Sequence, residues 1–517
     1  MNVTDRLIIF TRYPHPGQTK TRLIPGVGSR GAALLQRWMT EWMVDQAIVW
    51  QGQVTATATA DLGEDGDRSL VPPAIERSTS SHTINRQIDV CFSGGTDRMM
   101  RRWLGTFPLD RQRDRHPDRH PDRQPNQRNQ RNQRNQRNPY PNNIRYHPQT
   151  SGDLGDRMAQ AWARAWAEGV DRAVIVGIDC PFVTAQDVDR AFAALDRADL
   201  VLGAAQDGGY YLIGATRPRE PYTADTLAQI VFRDIPWSTD RVFDLTVAAA
   251  QGQGLHVATL ETYNDIDDPA DIPLLQRATT WDQQRISAIV PTYNEATQIA
   301  DTLKSLATAD NLEIILADGG STDETIAIAR SLSLPCPLQI CLTPGGGRAR
   351  QCNAAAQQAT GEILLFVHAD TRLPSYFDVF LRGALHGSSC RSAAIAGAFE
   401  LRTDSDRSGM RRIEQWANWR SRWLSLPYGD QAIFLTASTF RDLGGFPDLP
   451  IMDDYALVRQ LAQHGSIVTL PLAVTTSARR WERLGLWKTT AINQAIVLAY
   501  ELGIAPDRLA RWYRRQP

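Results

Sequence analysis

Short apolar segments that alternate with amphipathic segments run through both halves of the chain. Each apolar segment has the length and β-branched composition of a buried strand, and each is followed by a polar or glycine-containing loop. This alternation predicts an α/β fold with mostly parallel central sheets, and its recurrence predicts two tandem Rossmann-like domains that handle nucleotides. The clearest strand segments are 6–12, 173–178, 200–204, 286–291, 312–317 and 363–367.

The length of the chain supports this organisation, because 517 residues with 42% hydrophobic content suffice for two ordinary cores. We predict a first domain over 1–277, a linker over 278–284 and a second domain over 285–517. Residues 110–139 interrupt the first domain with Asp-Arg-His-Pro repeats and four tandem Asn-Gln-Arg units. Almost nothing in that segment is apolar, so we predict a disordered basic insertion.

Charge and cysteine content narrow the function classes. The formal net charge of −1 gives no reason to expect nucleic acid as a partner. The six cysteines show no Cys-x-x-Cys spacing and are expected to be reduced thiols. No stretch approaches the roughly 20 apolar residues of a spanning helix and no signal peptide is visible, so we expect a cytoplasmic location. The sequence leaves the oligomeric state open.

Two loops of the second half have the composition of a nucleoside site. One strand runs into a Pro-Thr-Tyr-Asn-Glu segment, and the next delivers an aspartate into Gly-Gly-Ser-Thr-Asp. Glycines let a backbone approach a ligand, and an acid at the end of a parallel strand can accept hydrogen bonds from a base or ribose. The candidate residues are Pro291, Thr292, Tyr293, Glu295, Asp318 and Gly320.

Further along, two arginines and a His-Ala-Asp segment have the chemistry to bind a diphosphate and a cation. Arg348 and Arg350 follow a run of three glycines, and guanidinium forks suit diphosphate oxygens. His368 and Asp370 follow a strand and point to the same side of an extended segment. An imidazole with a carboxylate suits Mn²⁺ at least as well as Mg²⁺. The alternative for this segment is a strand end with a cap.

The order of these motifs resembles family 2 glycosyltransferases, the inverting enzymes built on the GT-A nucleotide-diphospho-sugar transferase fold. The resemblance covers the chain from about residue 285 to its end. It implies a nucleotide-sugar donor and a divalent metal at His368 and Asp370. It also implies that an acidic pair, Asp453 and Asp454, supplies the catalytic base. We predict Asp454 as the base, because it opens a helix and projects towards the acceptor.

Three departures from the family pattern indicate a subfamily. The usual second acid of the nucleoside loop is Gly319, the first acid of the metal motif is His368, and the usual Glu of the acidic pair is Asp453. This combination is similar to glycosyltransferases labelled as arsenosugar-biosynthesis enzymes, some of which carry a diaponeurosporenoate glycosyltransferase label.

Arg480 and Trp481 resemble the Arg-Trp ending of a Gln-x-x-Arg-Trp motif of processive family members, in which the Arg contacts the diphosphate. The Gln of that motif is absent here, which argues against processive synthesis. The alternative for Arg480 is a surface ion pair.

The first half has its own candidate site. A cation-containing loop follows its first strand and suits a di- or triphosphate, although its spacing is not that of a Walker A loop. Acidic residues follow later strands. Residues 5–277 resemble a glycosyltransferase-like domain of unknown activity and, more distantly, guanylyltransferases, which implies metal-binding acids. The alternative is that the acids cap strands in a domain without catalysis. The candidates are Gly17, Lys20, Arg22, Asp179, Asp207, Asp265 and Asp267.

One aromatic stripe lies outside these motifs. Ile413, Trp416, Trp419 and Trp423 fall on one helical face, with arginines around it. We expect this face to pack in the core under the acceptor site. The alternative is an interfacial helix, which would make the acceptor a lipid and bring the protein to the inner face of the cell membrane.

These features predict a glycosyltransferase that transfers a sugar with inversion from a nucleotide-diphosphate donor to a small-molecule or lipid acceptor, fused to a nucleotidyltransferase-like domain. One alternative is a bifunctional protein whose first half is an active nucleotidyltransferase that releases pyrophosphate. Another is a nucleotide-sugar-binding scaffold with one or both halves inactive. The donor sugar and the acceptor stay open.

Overall fold

A computed structural model describes residues 3–52, 84–105, 144–345, 347–387, 393–407 and 409–514. The predicted insertion at 110–139 lies outside these residues. By contacts, the chain divides into two compact units. The first comprises Met1–Thr19 and Ala33–Asp267, and the second comprises Lys20–Ala32, Asp268–Gly387 and Ser392–Pro517. The predicted limits of independently folding domains stay predictions.

The described part of the first unit has one seven-stranded sheet. Its strands are β1 (Val3–Arg12), β2 (Ile84–Ser93), β3 (Ile144–Pro148), β4 (Arg172–Gly177), β5 (Leu200–Ala205), β6 (Tyr210–Thr216) and β7 (Val257–Tyr263). They hydrogen-bond in the order β3-β2-β1-β4-β6-β5-β7. The first four strands of that order are parallel, β6 is antiparallel to both neighbours, and β5 and β7 are parallel.

The second unit has an eight-stranded sheet over its described residues. Its strands are β8 (Ile286–Thr292), β9 (Leu312–Asp318), β10 (Leu338–Leu342), β11 (Ile363–Phe366), β12 (Thr371–Arg372), β13 (Ala396–Thr403), β14 (Ile433–Thr436) and β15 (Ile467–Thr476). Their order is β10-β9-β8-β11-β14-β13-β15-β12.

Apart from the short edge strand β12, the two sheets share one plan. In each, four parallel strands are followed by one antiparallel strand and then by a parallel pair. The predicted class, two tandem α/β units with mostly parallel central sheets, is therefore confirmed.

Helices pack against both sheets. In chain order the α-helices are α1 (Ile24–Gln51), α2 (Asp97–Met100), α3 (Leu154–Ala167), α4 (Ala185–Ala194), α5 (Ala224–Phe232), α6 (Val242–Gly252), α7 (Ile272–Ala278), α8 (Ile299–Leu306), α9 (Thr325–Ser331), α10 (Arg348–Gln358), α11 (Phe377–Leu385), α12 (Met410–Leu424), α13 (Ala437–Asp442), α14 (Asp453–His464), α15 (Arg479–Leu484), α16 (Leu486–Glu501) and α17 (Pro506–Arg514). Among these helices, none is long and apolar enough to cross a membrane.

Sequence composition accounts for the central strands of the second unit. Every residue of β9 is buried, as its continuous apolar run predicts for a strand covered on both faces. Because β8, β9 and β11 are parallel, their carboxyl ends meet at one edge of the sheet. The loops that follow them therefore converge, which is where open α/β sheets bind ligands.

The start of the second unit is fixed by a buried polar contact. Gln276 of α7 accepts a hydrogen bond from Arg382 Nη1 at 2.7 Å and donates one to Asp378 Oδ2 at 3.1 Å. Arg382 is fully buried, and its side chain also lies 3.0 Å from Asp378. Residues before the predicted start at 285 are thus part of the core of this unit.

The prediction that the tryptophan stripe packs in the core is wrong. On α12, Trp416, Trp419 and Trp423 are 43%, 50% and 74% exposed. The opposite face of the helix is buried instead, and it carries polar side chains that bond to β13, among them Glu414 and Asn418. Hydrogen bonds that the hydrophobic pattern does not reveal decide which face turns inward.

Candidate active site

Arg348 is the centre of a cluster of charged side chains in the second unit. It begins α10, and its Nε donates to Asp453 Oδ2 at 2.9 Å. Its Nη2 lies 3.0 Å from Asp454 Oδ1, and its Nη1 lies 3.1 Å from His368 Nε2. Burial opposes the charge of the guanidinium, but Asp454 and Asp453 outweigh burial and raise the pKa of Arg348. One arginine thus joins residues predicted separately for diphosphate, metal and base.

Backbone donors hold Asp454, the predicted base. The Gly429 N–H donates to its Oδ2 at 2.7 Å, and the Tyr455 N–H donates to its Oδ1 at 2.9 Å. A Cβ on Gly429 would lie 2.8 Å from that Oδ2 and 3.1 Å from His368 Nε2, so the close approach needs glycine. Burial favours protonation, but Arg348 and the Gly429 N–H outweigh it and lower the pKa of Asp454. The carboxylate is therefore held ionised, as a base must be.

Asp430 belongs to the same cluster, and the sequence assigned it no role. Its Oδ1 is buried and has no hydrogen-bond partner within the described structure. Burial raises the pKa of Asp430, and the nearby His368 opposes that rise. The neighbouring Gln431 fixes the loop, since its Oε1 accepts from Ser421 Oγ at 2.6 Å and its Nε2 donates to Phe399 O at 2.8 Å. In the sequence, the feature that could have pointed to Asp430 is its place in a Gly-Asp-Gln segment just before a buried strand.

Asp318, predicted to bind the nucleoside, shapes its own loop. Its Oδ2 accepts from the N–H groups of Gly320 and Ser321, both at 3.0 Å, and its Oδ1 accepts from Ser321 Oγ at 2.5 Å. Gly320 has a φ of 97°, the left-handed region in which glycine is favoured. The aspartate therefore holds the loop at the end of β9 in one shape.

The loops after β8 and β9 are tied together. Asn294 accepts from the Thr322 N–H at 2.8 Å and donates its own N–H to Ser321 Oγ at 3.0 Å. The Glu295 N–H donates to Thr325 Oγ1 at 2.8 Å. These bonds leave the Tyr293 ring 60% exposed next to the paired loops. Pro291 and Thr292 end β8, so the predicted nucleoside residues do come from adjacent strand ends.

Arg479 is a residue that sequence reasoning missed. The sequence singled out Arg480, but the Nη2 of Arg479 bonds to Glu295 Oε2 at 2.7 Å and to Asp370 Oδ2 at 3.2 Å. It thereby links the predicted nucleoside loop to the predicted metal residue. Both arginines begin α15, and nothing in a two-arginine motif tells that Arg479 bonds to these two acids. The side chain of Arg480 lies outside the described part of the structure, so its role stays a prediction.

His368 and Asp370 fit a divalent cation only together with a ligand. Each contacts a guanidinium, His368 that of Arg348 and Asp370 that of Arg479. Within the described residues, these two belong to no group of three side chains spaced to hold an ion. Imidazole and carboxylate are both suitable ligands for Mn²⁺, so the pair needs further oxygens of the kind that a donor diphosphate would bring.

A cavity of about 780 Å³ opens over the charged cluster. That volume is within the range of small-molecule sites. Arg348, His368, Asp370, Asp430 and Asp454 line its polar side. A second part of the lining, which we call its apolar side, consists of Leu449, Ile451, Met452, Ile496, Val497 and Tyr513. Asn493 and Asp507 also line the cavity.

Arg350 also lines this cavity, but it is more exposed than Arg348. Its Nη2 lies 2.8 Å from Asp448 Oδ2, and both side chains are largely in solvent. Of the two arginines predicted for the diphosphate, Arg348 therefore contacts the candidate base and Arg350 lies at the outer wall.

In the first unit, three predicted acids come together. The carboxylate oxygens of Asp207, Asp265 and Asp267 lie within 4.8 Å of one another, a spacing that could hold a metal ion. The Ile266 N–H donates to the Asp179 carbonyl at 2.9 Å, so the turn at Asp179 adjoins this loop. Clusters of exposed carboxylates are also common in proteins that bind no ion there. By itself the spacing therefore defines an acidic cluster.

The cation loop of the first half is divided between the units. Gly17 belongs to the first unit and has a φ of 81°, while Lys20 and Arg22 belong by contacts to the second. Arg22 lies in a single 3₁₀ turn, Thr21–Leu23, that follows Lys20. The predicted phosphate site at these three residues stays a prediction.

Comparison with known proteins finds two family models that each match part of the chain. Residues 123–239 match "Uncharacterized protein conserved in bacteria (DUF2064)", and residues 287–378 match "Glycosyl transferase family 2". The chain thus combines a DUF2064 region with a family 2 glycosyltransferase region, which confirms the predicted two-part architecture.

Several relatives match a stretch of about 90 residues of the chain. One is poly(ribitol-phosphate) beta-N-acetylglucosaminyltransferase TarS of Staphylococcus aureus (strain Mu50 / ATCC 700699), 37% identical over 92 residues, which are 17% of this chain and 16% of TarS. Another is the PGL/p-HBAD biosynthesis glycosyltransferase of Mycobacterium tuberculosis (strain ATCC 25177 / H37Ra), 40% identical over 91 residues, which are 17% of this chain and 36% of the relative. The chain spans less than two fifths of either relative, so the activity of the whole protein is a matter of proposal.

Among solved structures, mannosyltransferase PcManGT from Pyrobaculum calidifontis, in complex with GDP-Man and Mn²⁺, aligns with a TM-score of 0.32 and 24% identity over 47% of this chain and 76% of that chain. The fold assignment rests on the strand order and strand directions of this chain itself.

Proposed function

We propose that the second unit is an inverting glycosyltransferase that uses a nucleotide-diphosphate sugar as donor and Asp454 as general base. The observation that carries the proposal is the position of Arg348, His368, Asp453 and Asp454 around one wall of a single cavity. The family 2 match at 287–378 supports sugar transfer from a nucleotide donor. That match ends before the acidic pair, so the assignment of the base rests on geometry.

Arg348 links donor binding to the base in this proposal. Its fork bonds Asp453 and contacts Asp454. A diphosphate offers the same guanidinium better-matched oxygens, so the donor would draw hydrogen bonds from the two aspartates. The pKa of Asp454 then rises towards a value more useful in a base. Arg350 lines the same cavity, and Arg479 adds a positive charge beside Asp370. The diphosphate contact of Arg480 stays a prediction from the motif.

A divalent ion, Mn²⁺ or Mg²⁺, when bound by His368, Asp370 and the diphosphate, would neutralise charge on the leaving group. The protein's own part is to orient the donor between these residues and the paired loops that carry Tyr293 and Asp318.

Transfer in this proposal is a single displacement. The acceptor hydroxyl attacks the anomeric carbon from the face opposite the diphosphate, while its proton passes to the Asp454 carboxylate. One C–O bond forms as the bond to the diphosphate breaks, and the anomeric configuration inverts. The acceptor is a small molecule or a lipid, and a lipid acceptor would bring peripheral contact with the membrane.

The acidic cluster of the first unit supports a second candidate function for that half. Three carboxylates within 4.8 Å suit the hard cation that nucleotidyl transfer requires. In that case the protein is bifunctional, and the first half releases pyrophosphate from a nucleoside triphosphate. If the cluster binds no metal, the first half is a non-catalytic partner of the transferase.

The proposal is tested by a donor screen on the full-length protein with Mn²⁺ or Mg²⁺. Nucleoside diphosphate release is recorded across nucleotide-sugars, each with sugar, small-molecule and lipid acceptors. We expect one nucleotide-sugar to give acceptor-dependent release that a chelator abolishes. Tight donor binding without release for any acceptor would favour the scaffold alternative, in which the halves only bind nucleotide-sugar.

A further inference from the structure

The exposed tryptophans of α12 are held in solvent by the fold. Asn418 donates to Leu401 O at 3.0 Å and accepts from the Leu401 N–H at 2.6 Å. Glu414 accepts from the Thr403 N–H at 2.8 Å and from its hydroxyl at 2.7 Å. Rotating the helix to bury its tryptophans would leave these buried polar groups without partners, which is costly. The aromatic stripe is therefore a fixed feature of the surface.

A second exposed apolar stripe lies on α16. Trp487 is 68% exposed and Leu498 is 62% exposed, and Leu502, which caps the helix, is 74% exposed. The opposite face of α16 buries Ile492 and Ile496 against Met452 and Tyr455.

The two stripes are connected through one cluster of side chains. Leu426 and Tyr428, which follow α12, pack against the cluster that holds the buried face of α16. Leu424, at the end of α12, is itself 53% exposed. Two exposed apolar stripes that adjoin one cluster of packed side chains indicate an interaction surface rather than scattered apolar residues.

The charges around the tryptophans of α12 indicate which kind of partner this surface binds. The charged side chains that α12 exposes are Arg411, Arg412 and Arg422, whereas its acid, Glu414, is buried. Arg411 pairs with Glu414 and Arg422 pairs with Glu400, both at 2.8 Å, so within the described structure Arg412 is the arginine of this helix that stays available to an anionic surface. Tryptophan favours the interface between water and lipid, and arginine is attracted to anionic headgroups. A second copy of the chain would instead set arginine-flanked stripes of the same sign against each other.

The same cluster lines the candidate active site. Ile496, Val497 and Tyr513 form part of the apolar side of the cavity, and Asp454 lies on its polar side. An acceptor with an apolar part and a hydroxyl head would contact both sides at once.

We propose that α12 and α16 dock the protein on an anionic membrane surface, and that the acceptor is an amphipathic, membrane-resident molecule whose hydroxyl reaches Asp454. The choice of acceptor rests on the proposed transferase function. The docking does not, because it requires neither donor nor base.

The test is co-sedimentation of the full-length protein with vesicles of phosphatidylcholine alone and of phosphatidylcholine with phosphatidylglycerol. We expect binding to the anionic vesicles that weakens with added salt. The double variant W419A/W423A should bind roughly tenfold or more weakly, since both rings are exposed and Trp416, which lies near Arg420, is kept. The variant R412Q should bind about fivefold more weakly, and the exposed R330Q on α9 is its matched control.

Vesicle binding can be judged independently of sugar transfer, because it requires neither donor nor base. Thermal unfolding and donor binding should be unchanged in W419A/W423A, because these side chains fix no part of the fold. Failure of the wild-type protein to bind anionic vesicles overturns the docking, whatever the donor screen shows. A fall in oligomeric mass of W419A/W423A in sedimentation velocity, with no vesicle binding by wild type, would make the face a contact between copies instead.

Discussion

The two units share a strand order and differ in what their loops place at the carboxyl ends of the strands. In the second unit, Arg348 lies among Asp453, Asp454 and His368, so positive and negative charges are interleaved around a cavity. In the first unit, the corresponding chemistry is a cluster of three carboxylates. The interleaved site suits an anionic diphosphate and the acidic cluster suits a cation. A shared sheet therefore leaves the chemistry to the loops.

The largest effect expected from a single change is that of D454N on sugar transfer. The amide cannot take the acceptor proton, so we expect a loss of about a thousandfold in kcat. Donor affinity, measured by titration calorimetry, should stay within about threefold, since the single asparagine oxygen keeps one of the two backbone contacts, that of Gly429 or that of Tyr455, and Arg348 remains in place for the diphosphate. The matched variant in the first unit, D179A, should transfer sugar normally. Loss of donor binding in D454N, with the fold intact, would assign the residue to binding.

Removal of the metal should have the next largest effect. A chelator, or the variant H368A, is expected to lower transfer roughly a hundredfold, because the leaving diphosphate loses a neutralising charge. Mn²⁺ titration of activity is the measurement, with D267N in the first unit as control. A D267N protein that loses the transfer activity while H368A keeps it would reverse the assignment of the two sites.

Replacing Arg348 by lysine should have a smaller effect, on donor affinity, and it tests whether the guanidinium group binds the diphosphate with two hydrogen bonds. Lysine keeps the charge but cannot bond a diphosphate with two parallel donors, so we expect roughly tenfold weaker donor binding. Arg441, an exposed arginine on α13, gives the matched control R441K. Equal affinities of the R348K and wild-type proteins would place the diphosphate elsewhere.

The smallest expected effect is on the pH dependence of kcat/KM, which should show whether Asp454 or Asp430 is the base. The pKa of Asp454 is lowered from 3.8, so as pH falls this carboxylate stays ionised until below that value. The pKa of Asp430 is raised, so as pH falls this carboxylate takes up its proton at a higher pH than Asp454 does. We expect kcat/KM to show no acid limb from the base above about pH 4. An acid limb near pH 5 or above in the wild type, together with loss of transfer in D430N, would make Asp430 the base.

The pattern of apolar segments was enough to predict the fold, because a buried parallel strand such as β9 has a continuous apolar sequence. The sequence also named Arg348, His368 and Asp454, since each follows or opens a recognisable element. It did not reveal that Arg479 bonds Glu295 and Asp370, because these acids lie 184 and 109 residues away in the sequence and only the fold brings them to this arginine.

Two further features were beyond sequence reasoning for related reasons. The orientation of α12 is decided by the hydrogen bonds of Glu414 and Asn418, which outweigh the burial of three tryptophans. The Oδ1 of Asp430, which has no hydrogen-bond partner among the residues that the structure describes, is placed by the packing of its loop against β13. Hydrophobic periodicity does not register buried polar contacts of this kind.

The most direct test is a two-channel assay that follows nucleoside diphosphate and pyrophosphate release in parallel for the wild type, D454N and D179A. Substrates are nucleotide-sugars and, separately, nucleoside triphosphates with sugar phosphates. The account predicts acceptor-dependent diphosphate release that D454N abolishes and D179A leaves intact. Diphosphate release that survives D454N and is lost in D179A would place sugar transfer in the first unit and contradict it.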